Sequence, residues 1–219
     1  MTGGVMLVVG PGDTRGRPVR EVVRAAVAGG VTAVQLRDKG DDVRAQVTEA
    51  RALVALLQPL GVPLLVNDRV DVALAAGAGG AHVGQEDLAP EDARRLLGPG
   101  RLVGLSVTTP DEAAGLGTLP AATVDYVGVG PVFATPTKPD AAPPLGIAGL
   151  RAACAALAAS VPAVPAIAIG GIAAHNAAAM IAAGADGVAV VSAICAADDP
   201  EWAARELVAL VRDARAGRA

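Results

Sequence analysis

The sequence predicts an α/β protein whose parallel strands close into a (β/α)8 barrel of the TIM type. Short apolar segments alternate with segments of helical spacing, the apolar segments are hydrophobic at nearly every position, and a helix–glycine–strand unit recurs. The 219 residues are fewer than the ~250 typical of this barrel, but within its range. We expect one domain over residues 1–219, with an open, doubly wound sheet as the alternative.

Eight strands and eight helices are expected in alternation. Near-continuous hydrophobicity of a strand is typical of a parallel sheet that is buried on both faces. The predicted strands are 5–9, 32–36, 64–66, 81–83, 102–105, 126–129, 166–169 and 188–191. The predicted helices are 19–28, 42–57, 70–76, 91–97, 111–116, 147–159, 174–182 and 201–211.

A repeated unit supports closure of the sheet. Residues 26–34, 74–83 and 181–190 each read as the end of a helix, a glycine and then a strand. Glycine directly after a helix adopts the left-handed conformation at little cost, so it is a common helix terminator. One unit repeated around one sheet favours the barrel over the open sheet.

Composition excludes several classes of protein. Apolar residues make up 53% of the chain, charged residues 18%, and the formal net charge is −4, without the basic excess of a nucleic-acid binder.

Cys154 and Cys195 lie in alanine-rich segments and form neither a zinc pattern nor a disulfide framework, so we expect both to be buried. No signal peptide or membrane span is evident, which predicts a cytoplasmic location. The sequence is compatible with an oligomer.

Rare polar residues concentrate where catalysis occurs in such barrels. The chain has two lysines, two asparagines and three serines. Most of them directly follow a predicted strand, at the carboxyl-terminal face of the barrel. These are Lys39, Asn67, Ser106, Lys138 and Ser192.

A cationic group is predicted at the end of the second strand. Gln35, Arg37 and Lys39 alternate along an extended segment, so their side chains should point to one side. A forked guanidinium beside an ammonium suits a polyanion such as a diphosphate. The alternative is a solvated cluster paired with Asp38 and Asp41.

Two carboxylates at neighbouring strand ends predict a metal. Asp68 follows the third strand and Asp87 the fourth. Magnesium is commonly held by one or two carboxylates together with phosphate oxygens and water. The alternatives are that Asp68 only caps the helix at 70–76 and that Asp87 is only a turn residue before Pro90.

The two histidines have different expected roles. His82 lies within an apolar strand, where a packed and hydrogen-bonded histidine is favoured over a catalytic one. His175 precedes a helix and is expected at the surface.

A second anion site is predicted from the later loops. Thr135, Thr137 and Lys138 lie in the longest loop, 131–145, whose length suggests a lid and whose hydroxyls beside a lysine suit a phosphate or a diphosphate; the alternative is an ordered, proline-rich surface loop. The second anion site itself is expected to be neutral and built from backbone amides. Gly171 and Ser192 follow the seventh and eighth strands, whose loops form the phosphate cup of many such barrels. Two anion sites favour two phosphorylated substrates, or one substrate phosphorylated at both ends.

The motifs in this order resemble the thiamine-phosphate synthase family. The similarity covers about residues 5 to 195 and rests on Val-Gln-Leu-Arg-Asp-Lys-Gly, Val-Asn-Asp-Arg, His-Val-Gly-Gln-Glu-Asp-Leu, Gly-Leu-Ser, Gly-Pro-Val-Phe-Ala-Thr-Pro-Thr-Lys-Pro-Asp, Ile-Gly-Gly-Ile and Val-Ser-Ala-Ile.

The resemblance implies a (β/α)8 barrel that joins a hydroxymethylpyrimidine diphosphate to a thiazole phosphate and releases pyrophosphate. It assigns the pyrimidine diphosphate to Gln35, Arg37, Lys39, Asn67, Ser106 and Lys138, with Arg37, Lys39, Ser106 and Lys138 acting in catalysis. It assigns Mg²⁺ to Asp68 and Asp87. It assigns the thiazole phosphate to Thr135, Thr137, Gly171, Val191 and Ser192.

Two features bear on this reading. The first strand ends in Gly10-Pro11-Gly12-Asp13, without the aromatic start and Thr-Asp ending expected of the family, which leaves contacts from the first loop open. The related thiazole tautomerase has a histidine where this chain has Pro131, and tends to lose the Thr-x-Thr-Lys signature. A non-catalytic phosphate-binding barrel is the alternative from another functional class.

Overall fold

The structure, a computed structural model, describes residues 3–135, 137 and 142–218. Eight parallel strands in this part of the chain form a closed barrel in sequence order, which confirms the predicted fold. They are β1 (Gly4–Val9), β2 (Ala33–Leu36), β3 (Leu64–Asn67), β4 (Gly80–Val83), β5 (Leu102–Val107), β6 (Tyr126–Val129), β7 (Ala166–Ile169) and β8 (Gly187–Val190).

Helices connect the strands across the outside of the barrel. The described residues form α1 (Val19–Ala28), α2 (Val43–Leu57), α3 (Val70–Ala76), α4 (Pro90–Leu97), α5 (Pro110–Gly115), α6 (Gly146–Ser160), α7 (Ala174–Ala182), α8 (Ser192–Cys195) and α9 (Pro200–Ala216). Short 3-10 turns follow α2 at Gln58–Leu60 and α5 at Leu116–Thr118. Among the described residues, none of these helices combines the length and apolar composition that crossing a membrane requires.

Helix starts show where the sequence prediction fell short. Helices α4, α5 and α9 each begin one residue earlier than predicted, at Pro90, Pro110 and Pro200. Proline fits the first helical position because its missing N–H would have no intrahelical partner there. Residues 192–195, which lie in none of the predicted helices, form the short helix α8.

The barrel separates two apolar layers. A large layer lies between strands and helices, and both cysteines belong to it. Burial raises the pKa of the Cys154 thiol to about 11 and that of Cys195 to about 12, as expected for packed rather than reactive cysteines. The smaller layer fills the barrel interior and consists of Met6, Val8, Ala33, Leu65, Tyr126, Ile167 and Ala189.

The strand register brings polar residues together inside the barrel. Asn67 of β3 lies opposite His82 of β4, and His82 lies opposite Gly104 of β5. Gly104 in turn lies opposite Tyr126 of β6. Because side chains alternate between the two faces of a strand, this register places the side chains of Asn67, His82 and Tyr126 on the same, inner face of the barrel.

Candidate active site

One cavity opens among the strand ends at the carboxyl-terminal face of the barrel. It has a volume of about 160 Å³, and most of the predicted site residues line it. These are Gln35, Arg37, Asn67, Ser106, Thr135, Thr137, Gly171, Val191 and Ser192. Residues predicted for both anion sites therefore line the same cavity.

The floor of the cavity is a chain of buried polar side chains. Gln35 Nε2 donates to Tyr126 Oη over 3.5 Å, and Tyr126 Oη lies 2.8 Å from His82 Nδ1. His82 Nε2 lies 2.9 Å from Ser106 Oγ. Gln35, His82 and Tyr126 are buried, and burial raises the pKa of the Tyr126 phenol, so the phenol stays protonated. The packed, hydrogen-bonded histidine predicted from the sequence is what the structure contains.

Two glycines make room for this chain. A Cβ atom on Gly104 would lie 2.2 Å from Tyr126 Cζ and 2.4 Å from His82 Nδ1. A Cβ atom on Gly128 would lie 3.1 Å from His82 Cε1. The two rings occupy the space above glycine backbone, which fixes their positions relative to each other.

Two of the three residues predicted to form a cationic group at the end of β2 line the cavity. Gln35 and Arg37 line the cavity, whereas Lys39 is exposed and its Nζ lies 2.6 Å from Asp68 Oδ2. Strand β2 ends at Leu36, and Lys39 pairs with Asp68 beyond the strand. Convergence of all three side chains on one ligand stays a prediction. The alternative partners Asp38 and Asp41 are also not the ones that Lys39 contacts.

The atypical first loop places a carboxylate near Arg37. Asp13 Oδ2 accepts a hydrogen bond of 2.7 Å from the Gly10 N–H. Burial raises the pKa of Asp13, while the Gly10 hydrogen bond and the nearby Arg37 charge act in the opposite direction. The loop that departs from the family pattern therefore sets part of the electrostatic surroundings of Arg37.

Asp68 and Asp87 lie next to each other, and neither is among the residues that line the cavity, although Asp68 directly follows the lining residue Asn67. Asp68 has a left-handed backbone, φ 61°, a conformation that aspartate tolerates better than most residues. Asp68 does not cap the following helix, since Arg69 is the N-cap residue of α3, so the capping alternative is wrong. Asp87 Oδ2 accepts a hydrogen bond of 2.7 Å from the Gly84 N–H, so Asp87 does close a turn.

The donor set fits a magnesium ion. Burial, and then the neighbouring Asp68 carboxylate, raise the pKa of Asp87. A divalent cation between two such carboxylates would relieve their repulsion. In the described ranges no group of three or more His, Cys, Asp or Glu residues could hold a metal. Two carboxylates completed by phosphate oxygens and water match the preference of Mg²⁺.

The loop after β6 lies along the loop after β7. The Val132 and Phe133 N–H groups donate to the carbonyls of Ile169 and Gly170, over 2.8 and 3.1 Å. Further along, Thr135 Oγ1 accepts a hydrogen bond of 3.3 Å from the Thr137 N–H. Both Thr135 and Thr137 line the cavity. Lys138 lies outside the described residues.

Gly171 and Ser192 border the cavity at the ends of β7 and β8, and β8 is separated from β2, which precedes Arg37, by β1 alone. Gly171 has φ 65°, and a Cβ atom there would lie 2.7 Å from Phe133 Cβ, so the position requires glycine. Asn176 Nδ2 donates to the Gly171 carbonyl over 3.0 Å and holds this loop. Ser192 is the first residue of α8, where backbone N–H groups have no intrahelical partner. His175 is exposed, as predicted.

Sequence reasoning missed three residues around the cavity. Tyr126 and Thr108 line it, and Gln85 Nε2 donates to the Ser106 carbonyl over 2.6 Å. A signal for Tyr126 was present, since the one tyrosine of the chain begins a strand that otherwise has small residues. Gln85 and Thr108 carried no comparable signal.

A family model described as thiamine monophosphate synthase matches residues 5–194. The chain is 54% identical over 209 residues to the thiamine-phosphate synthase of Xanthobacter autotrophicus, covering 95% of each chain. It is 52% identical over 196 residues to the thiamine-phosphate synthase of Albidiferax ferrireducens, covering 90% of this chain and 86% of the relative.

A solved structure agrees with these sequence relatives. The thiamine phosphate pyrophosphorylase from Pyrococcus furiosus superimposes with a TM-score of 0.81 at 34% identity. The match covers 96% of both chains. The similarity therefore extends over the whole barrel rather than a single motif.

Proposed function

This chain belongs to the thiamine monophosphate synthase family, and from this premise we propose the reaction that it catalyses. It joins 4-amino-2-methyl-5-hydroxymethylpyrimidine diphosphate to 4-methyl-5-(2-hydroxyethyl)thiazole phosphate, or to the carboxylated form of that thiazole. The products are thiamine phosphate and pyrophosphate, and the carboxylated thiazole would in addition release its carboxyl group as CO2. The chain is an enzyme of the transferase class.

The observation that carries this proposal is one cavity that is lined by two chemically different sets of polar residues. Arg37 and the nearby Asp68–Asp87 pair suit a diphosphate with a metal. Gly171 and Ser192 offer backbone amides and a hydroxyl, which suit a phosphate monoester without a metal. A reaction between two phosphorylated molecules requires both sets in one cavity.

The substrates are assigned to these sets as the resemblance implies. The pyrimidine diphosphate contacts Gln35, Arg37, Lys39, Asn67, Ser106 and Lys138. The thiazole phosphate contacts Thr135, Thr137, Gly171, Val191 and Ser192. Because the amide nitrogen of Gln35 donates to Tyr126, its carbonyl is the group suited to accept from the exocyclic amine of the pyrimidine.

The reaction is a dissociative displacement. The bond between the pyrimidine methylene carbon and the diphosphate oxygen breaks, and its electron pair leaves with pyrophosphate. The aminopyrimidine ring stabilises the resulting cation, and the thiazole nitrogen donates its electron pair to form the new C–N bond. Holding the two rings in one cavity supplies much of the rate by positioning.

The protein's own groups stabilise the departing diphosphate. Arg37 presents a fork of donors to phosphate oxygens, and Ser106 offers a hydroxyl from the neighbouring strand end. Asp68 and Asp87 would hold Mg²⁺, which when bound neutralises charge on the leaving group. No acid–base dyad is needed, because no proton has to be moved in the step that breaks the bond.

The test is incubation of the whole chain with both substrates and Mg²⁺. We expect thiamine phosphate and an equal amount of pyrophosphate, and neither product when one substrate is left out. Absence of thiamine phosphate with intact, folded protein would contradict the proposal. Isomerisation of the thiazole phosphate alone would favour a tautomerase, and phosphate binding without turnover a non-catalytic barrel.

The remaining sequence-based expectations belong to the same proposal. The whole chain acts as one domain in the cytoplasm, with two phosphorylated small molecules as its partners and no nucleic acid or membrane. Whether the working enzyme is an oligomer is a matter for sedimentation analysis.

A further inference from the structure

The buried polar chain beneath the cavity contains a histidine and a tyrosine that have no assigned role in the proposed reaction. His82 lies on β4, between Tyr126 of β6 and Ser106 of β5, and only 7% of its surface is exposed. Neither ring has to exchange a proton with a substrate in the displacement. Their arrangement therefore calls for another explanation.

The direction of each hydrogen bond follows from counting hydrogens. The Gln35 amide nitrogen donates to Tyr126 Oη. A protonated phenol has one hydrogen, and His82 Nδ1 can accept it, since it lies 2.8 Å from Tyr126 Oη. A neutral imidazole that accepts at Nδ1 carries its hydrogen on Nε2.

The last hydrogen bond of the chain joins His82 to Ser106 at the edge of the cavity. His82 Nε2 lies 2.9 Å from Ser106 Oγ, so in this tautomer the imidazole donates to the serine oxygen. The hydroxyl hydrogen of Ser106 is then directed away from His82. Since Ser106 lines the cavity together with Arg37, a ligand oxygen is the acceptor that the site provides.

We propose that His82 and Tyr126 are positioning residues that hold Ser106 as a hydrogen-bond donor toward the diphosphate. This inference rests on the proposed function for the identity of the ligand, but the tautomer does not depend on it. The opposite direction, with Ser106 donating to Nε2 and His82 donating to Tyr126, would present only a serine acceptor to an anion. An acceptor would repel the same oxygen that a donor stabilises.

The first experiment determines the tautomer by long-range ¹H–¹⁵N correlation of the imidazole rings near neutral pH. The chain contains two histidines, and His175→Gln removes the signals of the exposed one. We expect the His82 ring to carry hydrogen on Nε2 and none on Nδ1. Hydrogen on Nδ1, alone or on both nitrogens, would overturn the proposal. In this measurement Gln35, Tyr126, His82 and Ser106 all keep their native side chains.

The second experiment uses Tyr126→Phe, which removes the hydroxyl and keeps the ring. We expect the His82 signals to lose the pure Nε2–H pattern, and kcat to fall about tenfold, the size typical of one hydrogen bond to a charged group. Ser106→Ala should lower kcat at least as much, and the double variant should be no slower than Ser106→Ala alone. Effects that multiply would mean that Tyr126 acts independently of Ser106, contrary to the proposal.

Binding of inorganic pyrophosphate with Mg²⁺ separates this inference from the proposed function. We expect Tyr126→Phe and Ser106→Ala to weaken pyrophosphate binding to a similar extent, whether or not thiamine phosphate is formed. If the enzyme makes no thiamine phosphate but shows the expected tautomer and binding losses, only the proposed function fails. Unchanged pyrophosphate binding in both variants would overturn the role of Ser106 as a donor.

Discussion

Lys39 Nζ lies 2.6 Å from Asp68 Oδ2, which pairs a residue predicted to bind an anion with one predicted to bind a metal. Asp68 also interacts with the Asp87 carboxyl group. Lys39 thus neutralises part of the charge that a magnesium ion would otherwise neutralise. A magnesium ion bound as proposed would compete with the ammonium group for the Asp68 carboxylate, and displacement of Lys39 would release it toward a bound diphosphate.

The competition predicts the effect of removing the ammonium group. In the absence of substrate, Lys39→Met should tighten Mg²⁺ binding about two- to fivefold, as expected for an ion pair that is partly exposed to solvent. Isothermal titration calorimetry measures the affinity. Arg95→Met is the matched control, because it removes one positive charge from an exposed pair with Asp92, away from the cavity. Equal effects of both variants would mean that net charge, rather than the Asp68 contact, is responsible.

Asp87 has a turn contact and a proposed metal contact, which two substitutions separate. Asp87→Asn retains an oxygen that can accept from the Gly84 N–H but loses the charge, whereas Asp87→Ala loses both. We expect both variants to lower Mg²⁺-dependent activity roughly tenfold to a hundredfold, the range for one lost charged contact. Steady-state rates at several magnesium concentrations test this. Normal turnover and magnesium dependence in Asp87→Asn would remove Asp87 from the metal site.

Ser192 distinguishes the two anion sites. Ser192→Asp places a negative charge where the thiazole phosphate is proposed to bind, and repulsion should raise the KM for the thiazole phosphate at least about tenfold, the equivalent of roughly 1.4 kcal/mol. The KM for the pyrimidine diphosphate should change much less. Ser192→Asn is the neutral control of similar size. Equal increases for both substrates would show that the sites are assigned wrongly.

Gly104 tests the close packing of the two rings. Gly104→Ala would place a Cβ atom 2.2 Å from Tyr126 Cζ and should lower the free energy of unfolding by about 1–3 kcal/mol, as overpacking of a core does. Urea denaturation measures this free energy. Gly12→Ala is the control, because no atom lies within 4 Å of its added Cβ. A stability loss in Gly12→Ala as large as in Gly104→Ala would contradict the packing explanation.

The sequence by itself determined the barrel and the face on which the site lies. Apolar strands separated by glycine-terminated helices leave few other ways to bury both faces of a parallel sheet. In a background of alanine, valine and leucine, polar residues such as Asn67 and Ser106 at strand ends stand out, and both line the cavity. These features are local, so a reading along the chain finds them.

Only the tertiary structure decided which of these residues touch. Lys39 and Asp68 are 29 residues apart, and His82 and Tyr126 are 44 apart. Their contacts depend on strand register and on where each strand ends, because one residue more or less in a strand turns a side chain to the other face. The space that Gly104 and Gly128 leave for the rings exists only once the barrel closes. For that reason the sequence predicted which residues line the candidate site, and the closed barrel determined their hydrogen bonds.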